Sequence, residues 1–194
     1  MRRLGLILAG GQARRMGGGD KGRLPLAAGY SLMQSVIDRL GPQCDALVLS
    51  ANGPPARFAD MGLPVLGDDI GAGPLAGVLA GLDYAAVHGF SQVLSVAADT
   101  PFFPRDLAQR LGAAPAIATS GGAAHPVFGL WPVGVAQDLR AALGAGRLRM
   151  IGFADQVGAR RVDFAVDPFD PFFNINTPAD LAVAQQAFSA GCAL

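Results

Sequence analysis

The stretch from Leu4 to Arg23, LGLILAGGQARRMGGGDKGR, constrains this chain more than any other. Leu4 to Ala9 is a short, uncharged, apolar run, and Gly10-Gly11 ends it abruptly. Such a run closed by glycine reads as a fully buried strand that delivers a loop to one edge of a sheet. Without a Cβ, the backbone there can turn sharply and come within hydrogen-bonding reach of a ligand. Successive N–H groups in such a turn form a concavity suited to anions. Basic residues crowd the same region: Arg2, Arg3, Arg14, Arg15, Lys21 and Arg23 are six of the chain's 15, against the one acid Asp20. The chain as a whole is formally neutral, so this positive charge is local, as a site for a small polyanion requires. A glycine-rich surface turn with solvated arginines is the plainer reading, and these residues alone leave it open.

Two familiar phosphate loops do not account for the stretch. The pattern G-x-x-x-x-G-K-[ST] is absent, because Asp20 precedes Lys21 and Gly22 follows it. The pattern G-x-G-x-x-G occurs at Gly17, Gly19 and Gly22, but it should follow the strand directly. Here Gly10 to Met16 intervene, and the match reads as accidental.

Length and composition bound the rest. A chain of 194 residues suits one domain able to bury a large core. With 51% hydrophobic and 15% charged residues it is not a disordered chain. Zero net charge argues against extended nucleic-acid binding. Cys44 and Cys192 make neither a metal pattern nor a disulfide framework, and read as two reduced thiols. Arg2-Arg3 before an apolar run superficially resembles a signal peptide, but six apolar residues leading into more arginines are too few. The long uncharged span from Leu111 to Gln137 contains Pro115, Pro126, Pro132 and Gly121-Gly122, so it is no membrane helix. The expectation is a cytoplasmic protein with neither membrane nor nucleic acid as partner.

Apolar strand-like runs alternate with helix-like segments, which predicts an α/β fold: a mostly parallel sheet with helices on both faces. Leu32, Val36 and Leu40 mark one face of a helix that Gly41-Pro42 stops. Strands are expected at Ala46 to Leu49, Val65-Leu66, Val93 to Ala97, Ala116 to Thr119 and Val127 to Trp131. Helices are expected from Pro74 to about His88, from Pro104, from Val135 to Leu143 and from Pro178 to Phe188. Ligands of doubly wound sheets bind beyond the carboxyl ends of the strands. Asn52, Asp68, Asp69 and Asp99 all fall just after predicted strands. Asp99 could hold Mg²⁺ against a triphosphate, or could simply cap a helix start before Pro101. Asp68 could accept hydrogen bonds from a guanine edge, or could be a solvated turn acid. Asn174 and Asn176 alternate with apolar neighbours and would share a face if extended. Thr177, Pro178 and Asp180 make a good helix N-terminus. His125 before Pro126 is most economically a satisfied turn residue. Arg147 and Arg149 precede a helix-like run and could each be solvated.

Taken together, Leu8-Ala9-Gly10-Gly11, Arg15-Met16-Gly17 and Asp20-Lys21-Gly22 resemble the signature of nucleotidyltransferases with a Rossmann-like fold. Within that group the chain is most similar to the molybdenum cofactor guanylyltransferases, through R-M-G-G-x-D-K-G and the closing N-I-N-T-P. The resemblance runs from Leu8 to Asp180 and implies a single domain over 1–194 of the nucleotide-diphospho-sugar transferase type. Its N-terminal part would take GTP and its C-terminal part molybdopterin. The implied reaction moves GMP from GTP to the terminal phosphate of molybdopterin and releases pyrophosphate.

The resemblance also implies roles. The amides of Leu8, Ala9, Gly10 and Gly11, with Arg15 and Lys21, would hold phosphates. Asp99 would bind Mg²⁺, Asp68 rather than Asp69 would contact guanine, and Ser50 and Asn52 would contact the nucleotide. Gly77 closes a G-P-L-A-G turn near the nucleotide. Arg149, chosen over Arg147, would face the acceptor phosphate, and Asn174 and Asn176 would read the pterin. His125 would line the acceptor pocket. Two departures stand out: Ser50 replaces the first asparagine of V-N-A-N, and Ala97-Ala98 stand where Pro-Cys is frequent. The expected partners are these two small molecules, with room for transient contacts to other proteins of the cofactor pathway, and the chain is expected to be a monomer. A related transferase using CTP or activating a sugar phosphate, and a non-catalytic GTP-binding accessory protein, remain the alternatives.

Overall fold

The computed structural model describes residues 1–10, 20–67 and 73–191. In chain order its strands are β1 (Arg3–Leu8), β2 (Pro25–Ala27), β3 (Tyr30–Ser31), β4 (Ala46–Ser50), β5 (Val65–Leu66), β6 (Gln92–Ala97), β7 (Ala116–Ser120), β8 (Ala123–Pro132) and β9 (Arg160–Phe164). Its helices are α1 (Leu32–Leu40), α2 (Pro74–Val87), α3 (Leu107–Leu111), α4 (Ala136–Gly144), α5 (Met150–Gln156) and α6 (Pro178–Ser189). Seven strands form one sheet in the order β5-β4-β1-β6-β8-β7-β9, and β2 pairs with β3 apart from it. Neighbours β5 and β4, β4 and β1, β1 and β6, and β7 and β9 are parallel, while β8 runs antiparallel to both β6 and β7.

Alternation along the strands assigns the two faces. In β1, Ile7 turns to one side and Leu4 and Leu6 to the other, as a period of two requires. On the first side Ile7, Leu49 and Val96 meet Met33, Val36 and Leu40 of α1 and Leu107 and Leu111 of α3. On the second side Leu4, Leu6, Val48 and Val93 meet Leu75, Val78 and Leu82 of α2, Leu139 of α4 and Phe153 of α5. A third cluster of Leu26, Leu32, Phe102, Ile175 and Ala184 docks α6 against the β2–β3 hairpin.

The predicted helices form where their local signals lie. Ser31 caps α1 through its hydroxyl, which accepts from the Gln34 N–H at 3.2 Å. Helix α2 lies on the sheet at glycine distance. A Cβ on Gly77 would come 2.6 Å from Leu8 Cδ2 and from Ser50 Oγ, and one on Gly81 would come 2.7 Å from Leu6 Cδ2. Two expectations differ in detail, and two elements were not expected. β8 starts at Ala123, ahead of Val127, and α3 starts at Leu107, after Pro104. β9 and the β2–β3 hairpin carry no apolar run that marks them; β9 begins on two exposed arginines, Arg160 and Arg161.

β8 leaves its partner at a useful place. Its pairing with β6 ends at Ser95 and Gly129, so the last residues of β6 have no neighbour in β8. The buried Ser95 hydroxyl donates to the Val127 carbonyl at 2.6 Å and accepts from the Trp131 indole N–H at 2.9 Å. Where the strands part, the buried Ser95 hydroxyl and Trp131 indole N–H are therefore satisfied.

Candidate active site

The chain runs outward from β1 through β4 to β5 and then returns to β6 on the other side of β1. Such a reversal opens a crevice at the carboxyl ends of the strands. Main-chain bonds extend the pairing slightly beyond: Ala9 N–H donates to Ser50 O at 2.8 Å, and Ala98 N–H to Leu8 O at 3.1 Å. Gly10, Asn52 and Asp99 then stand at the rim of a cavity of about 320 Å³. Leu8 and Ser50, with Gly73, Pro74 and Gly77 from the start of α2, form its walls together with Ala97, Val127 and Asn174.

Lys21 opens a single 3-10 turn, Lys21–Arg23, and reaches across this rim. Its Nζ donates to Asp99 Oδ2 at 3.1 Å and to Asn176 Oδ1 at 2.7 Å. The two charged side chains keep 14% and 18% of their surface exposed, enough for a ligand to reach them. Asn176 is held by the cap of α6. Asp180 Oδ2 accepts the N–H groups of Asn176 at 2.9 Å and Thr177 at 2.8 Å, and the Thr177 hydroxyl accepts Asp180 N–H at 3.2 Å. The Asn176 N–H and the Thr177 hydroxyl hold the Asp180 carboxyl below the usual carboxylate range. One residue earlier, Ile175 is fully buried and donates its N–H to the Asp99 carbonyl at 3.0 Å. Asn174 and Asn176 consequently flank a buried anchor, one lining the cavity and the other on Lys21.

His125 belongs to a separate network. Its Nε2 lies 2.8 Å from Ser120 Oγ, whose proton goes to Asp170 Oδ1 at 2.9 Å. Nε2 must then be the donor to the serine, and the ring stacks on Phe172 at 4.8 Å. Burial lowers the His125 pKa against the opposing charge of Asp170. The order His-Ser-Asp gives Ser120 no base, so the trio is a brace for the turn and not a nucleophile.

The cavity thus brings together Leu8, Gly10, Ser50, Asn52, Gly77, Asp99 and Asn174, with Lys21 and Asn176 joined to Asp99 at its edge. Ala9 lies on the same strand end, main chain paired to Ser50. Arg149 lies elsewhere, in a cavity of about 390 Å³ at the junction of α4 and α5 with Arg147, Leu148 and Phe153. Gly11, Arg15, Asp68 and Asp69 lie outside the described residues. Sequence reasoning passed over Arg57, whose guanidinium bonds to Asp20 and to the Asn52 carbonyl. An arginine in a proline-rich turn carries no signal of its own.

The rim can do one kind of chemistry well. An ammonium and a carboxylate side by side at the cavity rim match a polyphosphate carrying a divalent cation. Mg²⁺ is commonly held by one or two carboxylates together with substrate phosphates, which suits Asp99 at this rim. Among the described residues, no three His, Cys, Asp or Glu side chains cluster into a ready-made cation cage. Among them, too, no helix is long and apolar enough to cross a membrane.

Known proteins resemble this chain in sequence and in fold. The family model of the MobA-like NTP transferase domain matches residues 5–157. A molybdenum cofactor guanylyltransferase of Cereibacter sphaeroides is 53% identical over 189 residues, 95% of this chain and 96% of its own length. The chain belongs to the molybdenum cofactor guanylyltransferase family. A further member, from Bradyrhizobium sp. (strain ORS 278), is 53% identical over 194 residues, covering 94% of this chain and 91% of that one. The crystal structure of molybdopterin-guanine dinucleotide biosynthesis protein A from Archaeoglobus fulgidus shares the fold. It is 22% identical, with a TM-score of 0.71 over 96% of this chain and 99% of that one. As a guanylyltransferase-family protein the chain is a nucleotidyltransferase with an α/β fold of that type. The matched domain takes in Lys21 and Asp99, whereas Asn174 and Asn176 lie beyond its last matched residue.

Proposed function

We propose that the chain transfers GMP from GTP to the terminal phosphate of molybdopterin and releases pyrophosphate. An oxygen of the acceptor phosphate forms the new bond to the α-phosphorus of GTP. The bond from that phosphorus to the bridging oxygen breaks, and pyrophosphate leaves with the electron pair. A phosphate oxygen is already ionised near neutral pH, so no general base is needed and His125 is free to be structural. Catalysis then reduces to alignment and charge neutralisation.

The residues divide the work as follows. Main-chain amides from Leu8 to Gly11, with Arg15 and Lys21, hold the triphosphate. Ser50, Asn52 and Gly77 border the nucleoside, with Asp68 as the guanine acceptor. Asp99 would hold Mg²⁺, which when bound offsets the charge developing on the leaving pyrophosphate. Lys21 has three donors on a flexible stem, so it can leave Asp99 for a phosphate oxygen when that cation arrives. Asn174 and Asn176 present carboxamides to the pterin, which makes the N-terminal part the donor side and the C-terminal part the acceptor side. Contact of Arg149 with the acceptor phosphate requires molybdopterin to extend from Asn174 to the α4–α5 junction.

What carries this reading is Lys21: it touches the metal-capable Asp99 and the acceptor-side Asn176 at once. The test is incubation of the protein with Mg²⁺, molybdopterin and one nucleoside triphosphate at a time. GTP should yield pyrophosphate and the guanine dinucleotide in equal amounts. Consumption of CTP in its place, or GTP binding without pyrophosphate, overturns the assignment.

A further inference from the structure

Arg57 stands outside that scheme yet grips two parts of the proposed donor wall. It lies in the 3-10 segment Pro55–Met61, just past the Asn52-Gly53 turn. Its Nε donates to Asp20 Oδ2 at 3.2 Å, its Nη2 donates to Asp20 Oδ1, and its Nη1 donates to the Asn52 carbonyl at 2.7 Å. One guanidinium therefore binds the residue before Lys21 and the main chain of a residue that lines the cavity. Arg23 adds a tie from the Lys21 turn to the Pro55–Met61 segment: it donates to the Arg57 carbonyl and forks onto Asp60 at 2.7 and 2.9 Å.

Local needs do not explain these contacts. Asp20 occupies the cap position of the Lys21–Arg23 turn in an extended conformation, yet its side chain makes no cap bond to it. Its carboxylate is turned onto Arg57 instead. Gly53 has φ +86°, and a Cβ there would come 2.9 Å from Arg57 Nη1, so the turn is shaped around the guanidinium. Nor does stability require the pair, since Arg57 keeps 35% of its side chain exposed and ion pairs that open to water contribute little.

We propose that Arg57 is a positioning residue for the donor nucleotide. It locks the Lys21 turn to the Asn52 turn, so the phosphate side and the nucleoside side of the cavity are set at one separation before GTP arrives. Presetting them lowers the ordering cost of binding. A planar fork holds the carboxylate by two bonds and the carbonyl by a third in one fixed geometry, which the flexible point charge of lysine does not preset. The inference rests on the reading of the cavity as a GTP site.

The experiment measures the GTP dissociation constant by calorimetry, the KM for each substrate and the thermal midpoint of the full chain. Arg57→Lys, Asp20→Asn and their double variant are compared with wild type, with Arg57→Ala as the severe case. Arg140→Ala serves as the control, breaking an Arg140–Asp83 pair of 2.8 Å that joins α4 to α2. Arg57→Lys and Asp20→Asn should each weaken GTP binding about tenfold, and the double variant no further, since both act through one contact. KM for molybdopterin and the thermal midpoint should hold, as should every value for the control. Unchanged GTP affinity in Arg57→Lys, or a joint loss of both KM values and the midpoint, overturns the positioning role. If wild type itself binds no GTP, the cavity reading fails and takes the inference with it.

Discussion

Lys21 answers to a carboxylate and a carboxamide at once. Lys21→Ala should lower kcat/KM by about 10²- to 10³-fold, the usual cost of losing one preorganised charge donor. Its thermal midpoint should stay close to wild type, which a melting curve beside the kinetics checks. Cys44 is the opposite case, a half-buried side chain packed against the core. Burial pushes its thiol up to about 12, so the reactive thiolate is scarce at neutral pH. Iodoacetamide at pH 8 should leave Cys44 intact in the folded protein and label it after denaturation, as peptide mass spectrometry would show. The place of Asp99 at the carboxyl edge of the sheet was legible in the sequence because it follows the β6 run closely, and Lys21 stood out through its basic, glycine-rich stretch. The bond from Lys21 to Asn176 was not, since it spans 155 positions and only the folded chain brings its ends together. Arg57 was invisible for the same reason, being 37 positions from the Asp20 carboxylate it holds.

Among the elements, α2 depends most on what its residues lack. Gly→Ala in a helix ordinarily stabilises by about 1 kcal/mol. At Gly77 the added methyl would meet Leu8 and Ser50 at 2.6 Å, with both backbones fixed in the sheet. Gly77→Ala should therefore destabilise by about 1–3 kcal/mol. Gly152→Ala in α5 has its nearest neighbour 4.0 Å away and should be neutral or stabilising. Urea titration of the two variants decides between them. In α6, Thr177→Ala should cost about 1 kcal/mol through loss of the cap. The Asp180 carboxyl has a depressed pKa in the folded state, so the stability it contributes is present above its unfolded value of about 4 and is lost as pH falls further. The gap in melting temperature between wild type and Asp180→Asn should close as pH drops below that value. Elements with a cap or a stripe were legible, as Thr177-Pro178-Asp180 and Leu32-Val36-Leu40 show. Strand β9 was not, because an edge strand beginning on two exposed arginines lacks the alternation that marks a buried one.

At the scale of the molecule, the parallel half of the sheet follows from apolar runs punctuated by helices, and the site follows from where that order reverses. The apolar run Val127 to Trp131 marked β8 as a strand but not its direction, which depends on antiparallel pairing with β6 and β7. Nor did spacing reveal that α6 packs on the β2–β3 hairpin, where Gln185 donates to the Pro25 carbonyl at 2.8 Å. That docking places the Asn174–Asn176 segment beside the strand ends. A ligand that binds only the folded state raises stability by about 2.7 kcal/mol at a hundredfold excess over its Kd. GTP with Mg²⁺ should accordingly raise the melting temperature more than CTP, UTP or dTTP does. The most direct test of the whole account is the Mg²⁺-dependent turnover of Asp99→Asn at saturating GTP and molybdopterin. The account predicts a fall of about 10²-fold or more with the fold intact. Wild-type turnover with an unchanged Mg²⁺ dependence would contradict it.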